Sequence, residues 1–177
     1  MSIHRLAPVA FVLSLLVPVS ASADGLFSPY IGSAMSQTTW GFSLAGMGRE
    51  LVGFEFDLGY TPDFFVDEEP GSDNNLLTLM GSVIVGAPAG PVRPYVVGGM
   101  GLMRSRIAGA SDLVEFSRND LGINLGGGLY GFFGETFGIR GDVRYLRSLN
   151  DGGEGILDFD LGNFSFWRTS VGVVFRF

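Results

Sequence analysis

FSFWRTSVGVVFRF, residues Phe164 to Phe177, alternates with a period of two. Counting back from Phe177, one set is Phe175, Val173, Val171, Thr169 and Trp167. The other set is Arg176, Val174, Gly172, Ser170, Arg168 and Phe166. One face is therefore apolar with aromatic ends, and the other mixes two arginines with small and polar residues. A period of two is a β-strand. Soluble strands rarely carry Trp at one end and Phe at the other of an outward row. A transmembrane β-strand needs that row, because an apolar band roughly 25 Å tall is flanked by aromatic girdles at both interfaces.

The opposite end of the chain is consistent with this. MSIHRLAPVAFVLSLLVPVSASA has a basic start at Arg5, an apolar run from Leu6 to Val19, and Ala21-Ser22-Ala23 as a small-x-small cleavage site. The run is too short for a transmembrane helix, which needs roughly 20 apolar residues, and Pro8 and Pro18 flank it poorly for one. Residues 1–23 are expected to be a signal peptide for export, and residues 24–177 a single outer-membrane barrel domain. The ending, with Phe177 last and Phe175 before it, resembles the C-terminal assembly signal of bacterial outer-membrane proteins. That resemblance implies recognition of the last strand by the barrel-assembly machinery.

Composition narrows the classes. There is no cysteine and no lysine, and the one histidine, His4, falls in the expected signal. After cleavage ten arginines face eighteen carboxylates, a formal charge of 10 − 18 = −8. So acidic a chain does not bind nucleic acid by neutralising phosphates. Mean hydropathy is +0.34, yet no helix-length apolar run remains beyond the signal. Alternating lipid-facing and lumen-facing residues produce that combination, and 28 glycines suit tight turns and a crowded interior.

Eight strands are expected, forming an all-β antiparallel transmembrane barrel. The first, Leu26 to Met35, contains Pro29, and its faces are hard to tell apart. The second, Thr39 to Met47, sets Trp40, Phe42 and Leu44 against Gly41, Ser43 and Ala45. The third, Gly53 to Tyr60, sets Phe54, Phe56, Leu58 and Tyr60 against Glu55 and Asp57. Leu76 to Gly86, Val92 to Met103 and Leu121 to Phe133 supply the next three. In the seventh Ile139, Val143 and Tyr145 oppose Arg140, Asp142 and Arg144. Connections alternate in length: 48–50, 87–91 and 134–136 are short, whereas 61–75, 104–120 and 147–163 are long, polar and acidic. Outer-membrane barrels have short periplasmic turns and longer extracellular loops. With Phe177 in the periplasm every long connection lies outside, and only the first outer connection, near Ser36 to Thr38, is short.

VRPYVVGGMGL (Val92 to Leu102), FGIRGDVRYL (Phe137 to Leu146) and the FWR…GVVFRF ending together resemble the small outer-membrane barrel domain of OmpA- and OmpX-like proteins. The resemblance covers essentially the whole chain after the signal. It implies a barrel without the peptidoglycan-binding domain of OmpA, contact with outer-membrane lipid and lipopolysaccharide, and no cofactor.

Some small barrels are enzymes, lipid A deacylases and palmitoyltransferases among them. A Ser/His hydrolase needs imidazole as its base, and the mature chain has none. Lysine and cysteine chemistries are closed likewise, and no paired-carboxylate motif stands out. A non-enzymatic role is expected. Arg140-Gly141-Asp142 spells an integrin-recognition tripeptide, but it lies mid-strand with both charges inward. Gly98-Gly99-Met100-Gly101 lacks the helix and lysine of a phosphate-binding loop. A soluble lipocalin-like carrier also alternates, but the aromatic strand ends and terminal Phe oppose it.

Alternation points Glu55, Asp57, Arg140, Asp142, Arg144, Arg168 and Arg176 into the lumen. An eight-stranded barrel has an interior just wide enough for side chains to fill, and buried charges must pair. Glu55 or Asp57 is expected to meet Arg140 or Arg144 across the lumen, as a structural plug or, alternatively, the gate of a narrow ion path. The outer connections carry Asp63, Asp67, Glu68, Glu69 and Asp73, then Asp151, Glu154, Asp158 and Asp160. They lack the spacing of a calcium loop and read as solvated acidic loops, with Phe64, Phe65, Phe116 and Phe159 leaving room for an extracellular partner.

Overall fold

The computed structural model describes residues 24–47, 51–64, 74–87, 89–108, 115–149 and 164–177. They form β1 (Asp24–Ala34), β2 (Gln37–Met47), β3 (Val52–Pro62), β4 (Asn74–Gly86), β5 (Val92–Ala108), β6 (Glu115–Phe132), β7 (Phe137–Ser148) and β8 (Ser165–Arg176). Each strand pairs antiparallel with the next, and β8 returns to β1, closing an eight-stranded barrel. Closure satisfies every strand edge within the hydrocarbon, where an unpaired backbone group costs several kcal/mol. The expected signal peptide, residues 1–23, and the acidic stretches 65–73 and 150–163 lie outside the described residues.

Period-two alternation survives in every strand. Phe54, Phe56, Trp40, Val96, Leu125, Trp167 and Val171 are exposed on the outer wall. Their neighbours in sequence Glu55, Thr39, Val97, Asn124, Arg168 and Ser170 are buried within. β1 resolves the same way: Leu26, Ser28, Tyr30 and Ala34 are buried, while Phe27 and Ile31 face out. Its faces are hard to read because serine and glycine occupy both sides of the lumen–lipid alternation. Aromatic pairs ring the wall at both ends. Trp40 packs on Tyr60 and Tyr145 on Trp167, each pair with ring centroids 5.3 Å apart. At the opposite end Phe175 lies between Phe27 and Phe137, at 6.4 and 6.0 Å.

Two connections differ from expectation. The first outer turn is Met35–Ser36, not Ser36 to Thr38: Ala34 pairs with Gln37, and φ is positive at both central residues, 52° and 69°. That is the twist-matched two-residue hairpin turn. The connection expected over 104–120 is mostly strand. β5 and β6 continue pairing to Ala108↔Glu115, leaving only 109–114 between them. The polarity of Arg104, Ser105 and Arg106 reads as loop, but it reports only departure from the hydrocarbon, and a hydrogen-bonded ladder continues in water as well.

The closing seam has one interruption. The β1–β8 ladder pairs Leu26↔Arg176 and Phe27↔Phe175, then resumes at Tyr30↔Gly172. Pro29, which has no N–H to donate, sits in the gap. Beyond it the seam ends in a reciprocal pair: Gly25 N–H donates to Phe177 O at 2.9 Å, and Phe177 N–H to Gly25 O at 3.0 Å.

Candidate functional site

The lumen is layered. Near the β1 start, Leu26, Met47, Ile84, Tyr95, Tyr130 and Val174 belong to one buried apolar cluster. At the other end Ala34, Phe64, Leu76, Met80, Leu146 and Phe166 belong to a second. Phe64, Phe164 and Phe166 cap it with mutual ring distances of 5.1, 5.2 and 5.3 Å. Between the two lies a band of charge.

Glu55 is its hub. One carboxylate oxygen accepts from Arg140 Nη2 at 2.7 Å and the other from Arg144 Nη2 at 2.5 Å. β3 and β7 stand on opposite walls of an eight-stranded barrel, so these bonds span the lumen. Asp142, on the same face of β7 between the two arginines, accepts from Arg144 Nε at 2.7 Å and Arg140 Nη2 at 3.2 Å. Arg140 also donates from Nη1 to Ser43 Oγ on β2 and from Nε to the Tyr95 hydroxyl on β5 at 2.7 Å. The Tyr95 hydroxyl in turn donates to Asp142 Oδ2 at 2.5 Å. Four strands are thus joined through one guanidinium.

Asp57 takes a different partner from Glu55. It accepts from Arg168 Nη2 at 2.7 Å, not from Arg140 or Arg144. One pleat nearer the Phe64 end than Glu55, it faces β8, where Arg168 reaches it. Arg176 departs further: although on the inward face, it lies at the barrel end, 4.0 Å from Asp24 and with its guanidinium 3.8 Å above the Phe132 ring. It is outside the central band because two residues of Gly172–Val174 spacing carry it beyond the apolar cluster. Both charges of the Arg140-Gly141-Asp142 stretch are interior, with Arg140 3% and Asp142 4% exposed.

The tyrosines were not singled out in the sequence. Arg140 lies 5.1 Å from the Tyr95 ring centroid and 5.2 Å from that of Tyr130, and Arg168 lies 5.0 Å from Tyr30. Desolvated cation–π contacts of this kind are worth about 2 kcal/mol. The alternation carried the signal, since all three tyrosines fall on the inward set, where an aromatic is unusual among small residues. Two glycines make room for these arginine and tyrosine side chains. A Cβ at Gly59 would meet Arg168 Nη1 at 2.5 Å, and one at Gly128 would meet the Tyr95 hydroxyl at 2.5 Å.

The six central charges, three carboxylates and three guanidiniums, sum to zero and are all at most 4% exposed. Ion pairs dominate the chemistry of this band. Among the described residues no group of three or more metal-ligating side chains occurs.

Known proteins resemble the chain in shape, and a family model matches its sequence. The barrel is similar to the N-terminal β-barrel domain of Pseudomonas aeruginosa OprF, at 19% identity over 87% of this chain and 97% of that one, with a TM-score of 0.57. It is similar to Neisserial surface protein A at 15% identity over 88% and 96%, TM-score 0.60. The outer membrane enzyme PagL shares the shape at 16% identity over 84% and 97%, TM-score 0.52. At these identities the likeness concerns the fold alone. No curated protein sequence matches the chain. The family model described as outer membrane protein beta-barrel domain matches residues 9–177. With that match over a closed eight-stranded wall, the chain belongs to the outer-membrane β-barrel domain family, and its place is the bacterial outer membrane.

Proposed function

We propose that this protein is a sealed, non-enzymatic barrel that serves membrane integrity and surface interaction, exported by its N-terminal signal and assembled through its C-terminal strand. The observation that carries the reading is the layered lumen. The neutral ion-pair band lies between apolar clusters that include Met80 and Phe166 on one side and Ile84 and Val174 on the other, every one of these four at most 3% exposed. An ion entering would leave its hydration shell for an apolar layer before reaching the central band, at a cost of several kcal/mol. PagL shows that such a wall accommodates an enzyme, but the sole histidine here is His4 and lysine and cysteine are absent, which supports a role without catalysis.

Planar-bilayer recording of the refolded protein tests the seal. No discrete conductance steps are expected at moderate voltage. Reproducible single-channel steps that vanish with Met80→Trp would replace this reading with the gated ion path.

Orientation is tested separately. An epitope tag inserted within 109–114, at the tip of the β5–β6 hairpin, is expected to bind antibody on intact cells. Tags at 87–91 or 134–136 are expected to bind only after the outer membrane is permeabilised. The reverse pattern would invert the barrel.

A further inference from the structure

The hydrogen bonds of the β1–β8 seam can be assigned pair by pair. Gly25 and Phe177 exchange both of theirs. In an antiparallel ladder such reciprocal pairs recur at every second position, so Phe27↔Phe175, Pro29↔Val173 and Ile31↔Val171 are of that type. Proline has no N–H. The Val173 carbonyl therefore faces Pro29 without a strand donor, and for that reason the ladder skips Ser28 and Pro29. Ser28 does not supply the donor, because its hydroxyl is buried and makes no hydrogen bond. Every other ladder of the barrel runs unbroken from its first pair to its last. Pro94 shows the contrast: β5–β6 pairing continues through Pro94↔Leu129, and its nitrogen points past the end of β4, where Gly86↔Tyr95 is the last pair.

The gap separates two parts of the seam that are held by different contacts. From Tyr30↔Gly172 to Ala34↔Arg168 pairing is continuous. There Arg168 of β8 lies 5.0 Å from the Tyr30 ring of β1 and is fixed by Asp57 at 2.7 Å. On the Phe177 side little crosses the seam besides the backbone. Phe27 stacks on Phe175 on the outer wall, with ring centroids 6.4 Å apart. Arg176 reaches Asp24 only at 4.0 Å, and its Nε has no hydrogen-bond partner. Cooperativity passes along a ladder from bond to bond, and the missing Pro29 donor interrupts it.

We infer that the Phe177 end of the seam opens as a unit of its own, with β1 and β8 parting between Pro29 and the Gly25–Phe177 pair while pairing from Tyr30 onward stays shut. β1 remains paired with β2 and β8 with β7, so each parted strand keeps one neighbour. Opening frees the seam-facing N–H and C=O groups of Gly25 and Phe27 on one edge and of Phe175 and Phe177 on the other. Free edges of this kind accept an extended strand by backbone pairing. The Phe27–Phe175 stack is the clasp that recloses the seam.

Amide hydrogen exchange, followed by NMR on the refolded protein in lipid nanodiscs, tests this in the unmodified chain. Donor direction alternates along each strand. Phe27 donates across the seam, whereas Leu26 and Ser28 donate to β2; Phe175 donates across the seam, and Val174 to β7. Phe27 and Phe175 are expected to exchange about tenfold faster than these neighbours at the same depth, an alternation that distance from the membrane surface does not produce. Beyond the gap, Ile31 and Tyr30 are expected to exchange alike. Pro29→Ala gives Val173 its donor, and one net hydrogen bond corresponds to roughly tenfold in an equilibrium. Phe27 and Phe175 are therefore expected to slow by about that factor in the variant, with Ile31 unchanged. Pro94→Ala is expected to leave those rates as they are. Absence of the alternation in the unmodified protein would overturn the inference. So would a Pro29→Ala variant that slows the whole barrel equally or leaves Phe27 and Phe175 unchanged.

Discussion

Glu55→Ala is expected to destabilise the barrel by about 3–5 kcal/mol in urea unfolding from lipid vesicles, because it strands buried positive charge on the opposite wall. Glu55 is 3% exposed and holds Arg140 and Arg144 at 2.7 and 2.5 Å. With it removed, two carboxylates remain for three guanidiniums, and water cannot reach the surplus cation. Adding Arg144→Ala restores the balance of charge. The double variant is therefore expected to cost less than the sum of the single ones, with a coupling of about 1–3 kcal/mol. The same holds for Asp57 with Arg168, which are 2.7 Å apart. Asp57 with Arg140, by contrast, make no contact, and their cycle is expected to show the smaller coupling of more distant partners. Strict additivity in the Glu55–Arg140, Glu55–Arg144 and Asp57–Arg168 cycles would show that the interior charges are energetically independent.

Deleting Phe177 is expected to deplete the protein from the outer-membrane fraction of growing cells, by far more than the loss of one surface phenyl ring explains. Phe177 is 76% exposed, so its removal forfeits little burial. Its backbone, however, makes both hydrogen bonds that finish the seam with Gly25, at 2.9 and 3.0 Å. The seam there is already short, since Pro29 leaves only Leu26↔Arg176 and Phe27↔Phe175 between the gap and the end. Phe177→Ser keeps the backbone pair while removing the aromatic. It therefore separates the two contributions: depletion by both variants points to side-chain recognition during assembly, and depletion by the deletion alone to the seam. Normal outer-membrane levels of both would remove any role for the terminal residue.

The wall was legible in the sequence and the interior only partly so. Lipid demands apolar side chains at every second position, and Phe54, Phe56 and Leu58 display that demand in three consecutive outward places. The lumen imposes a weaker rule: fill the space and leave no charge alone. Small residues meet it as well as large ones, which is why β1 has no readable face and why alternation places Glu55, Asp57 and the arginines inside without assigning partners. Partner choice depends on how far neighbouring strands slide past each other. That stagger is a property of all eight pairings together, so Asp57 reaching Arg168 is not written in any one strand. The β5–β6 extension was hidden for a related reason. Hydropathy marks where the membrane ends, and the ladder does not end there.

Neutrality of the central band has a consequence for how the sequence can drift. Because three positive and three negative groups cancel within a space closed at both ends, any single exchange that alters charge leaves an odd one behind. Balance returns only through a second exchange within the band, two residues away on the same strand for Asp142 with Arg140 or Arg144, and far away in the chain for Glu55 with Arg144, 89 residues apart. The six positions therefore behave as one inherited unit, substitutable in pairs and resistant one at a time. The formal net charge of −7 is carried entirely by the rest of the molecule.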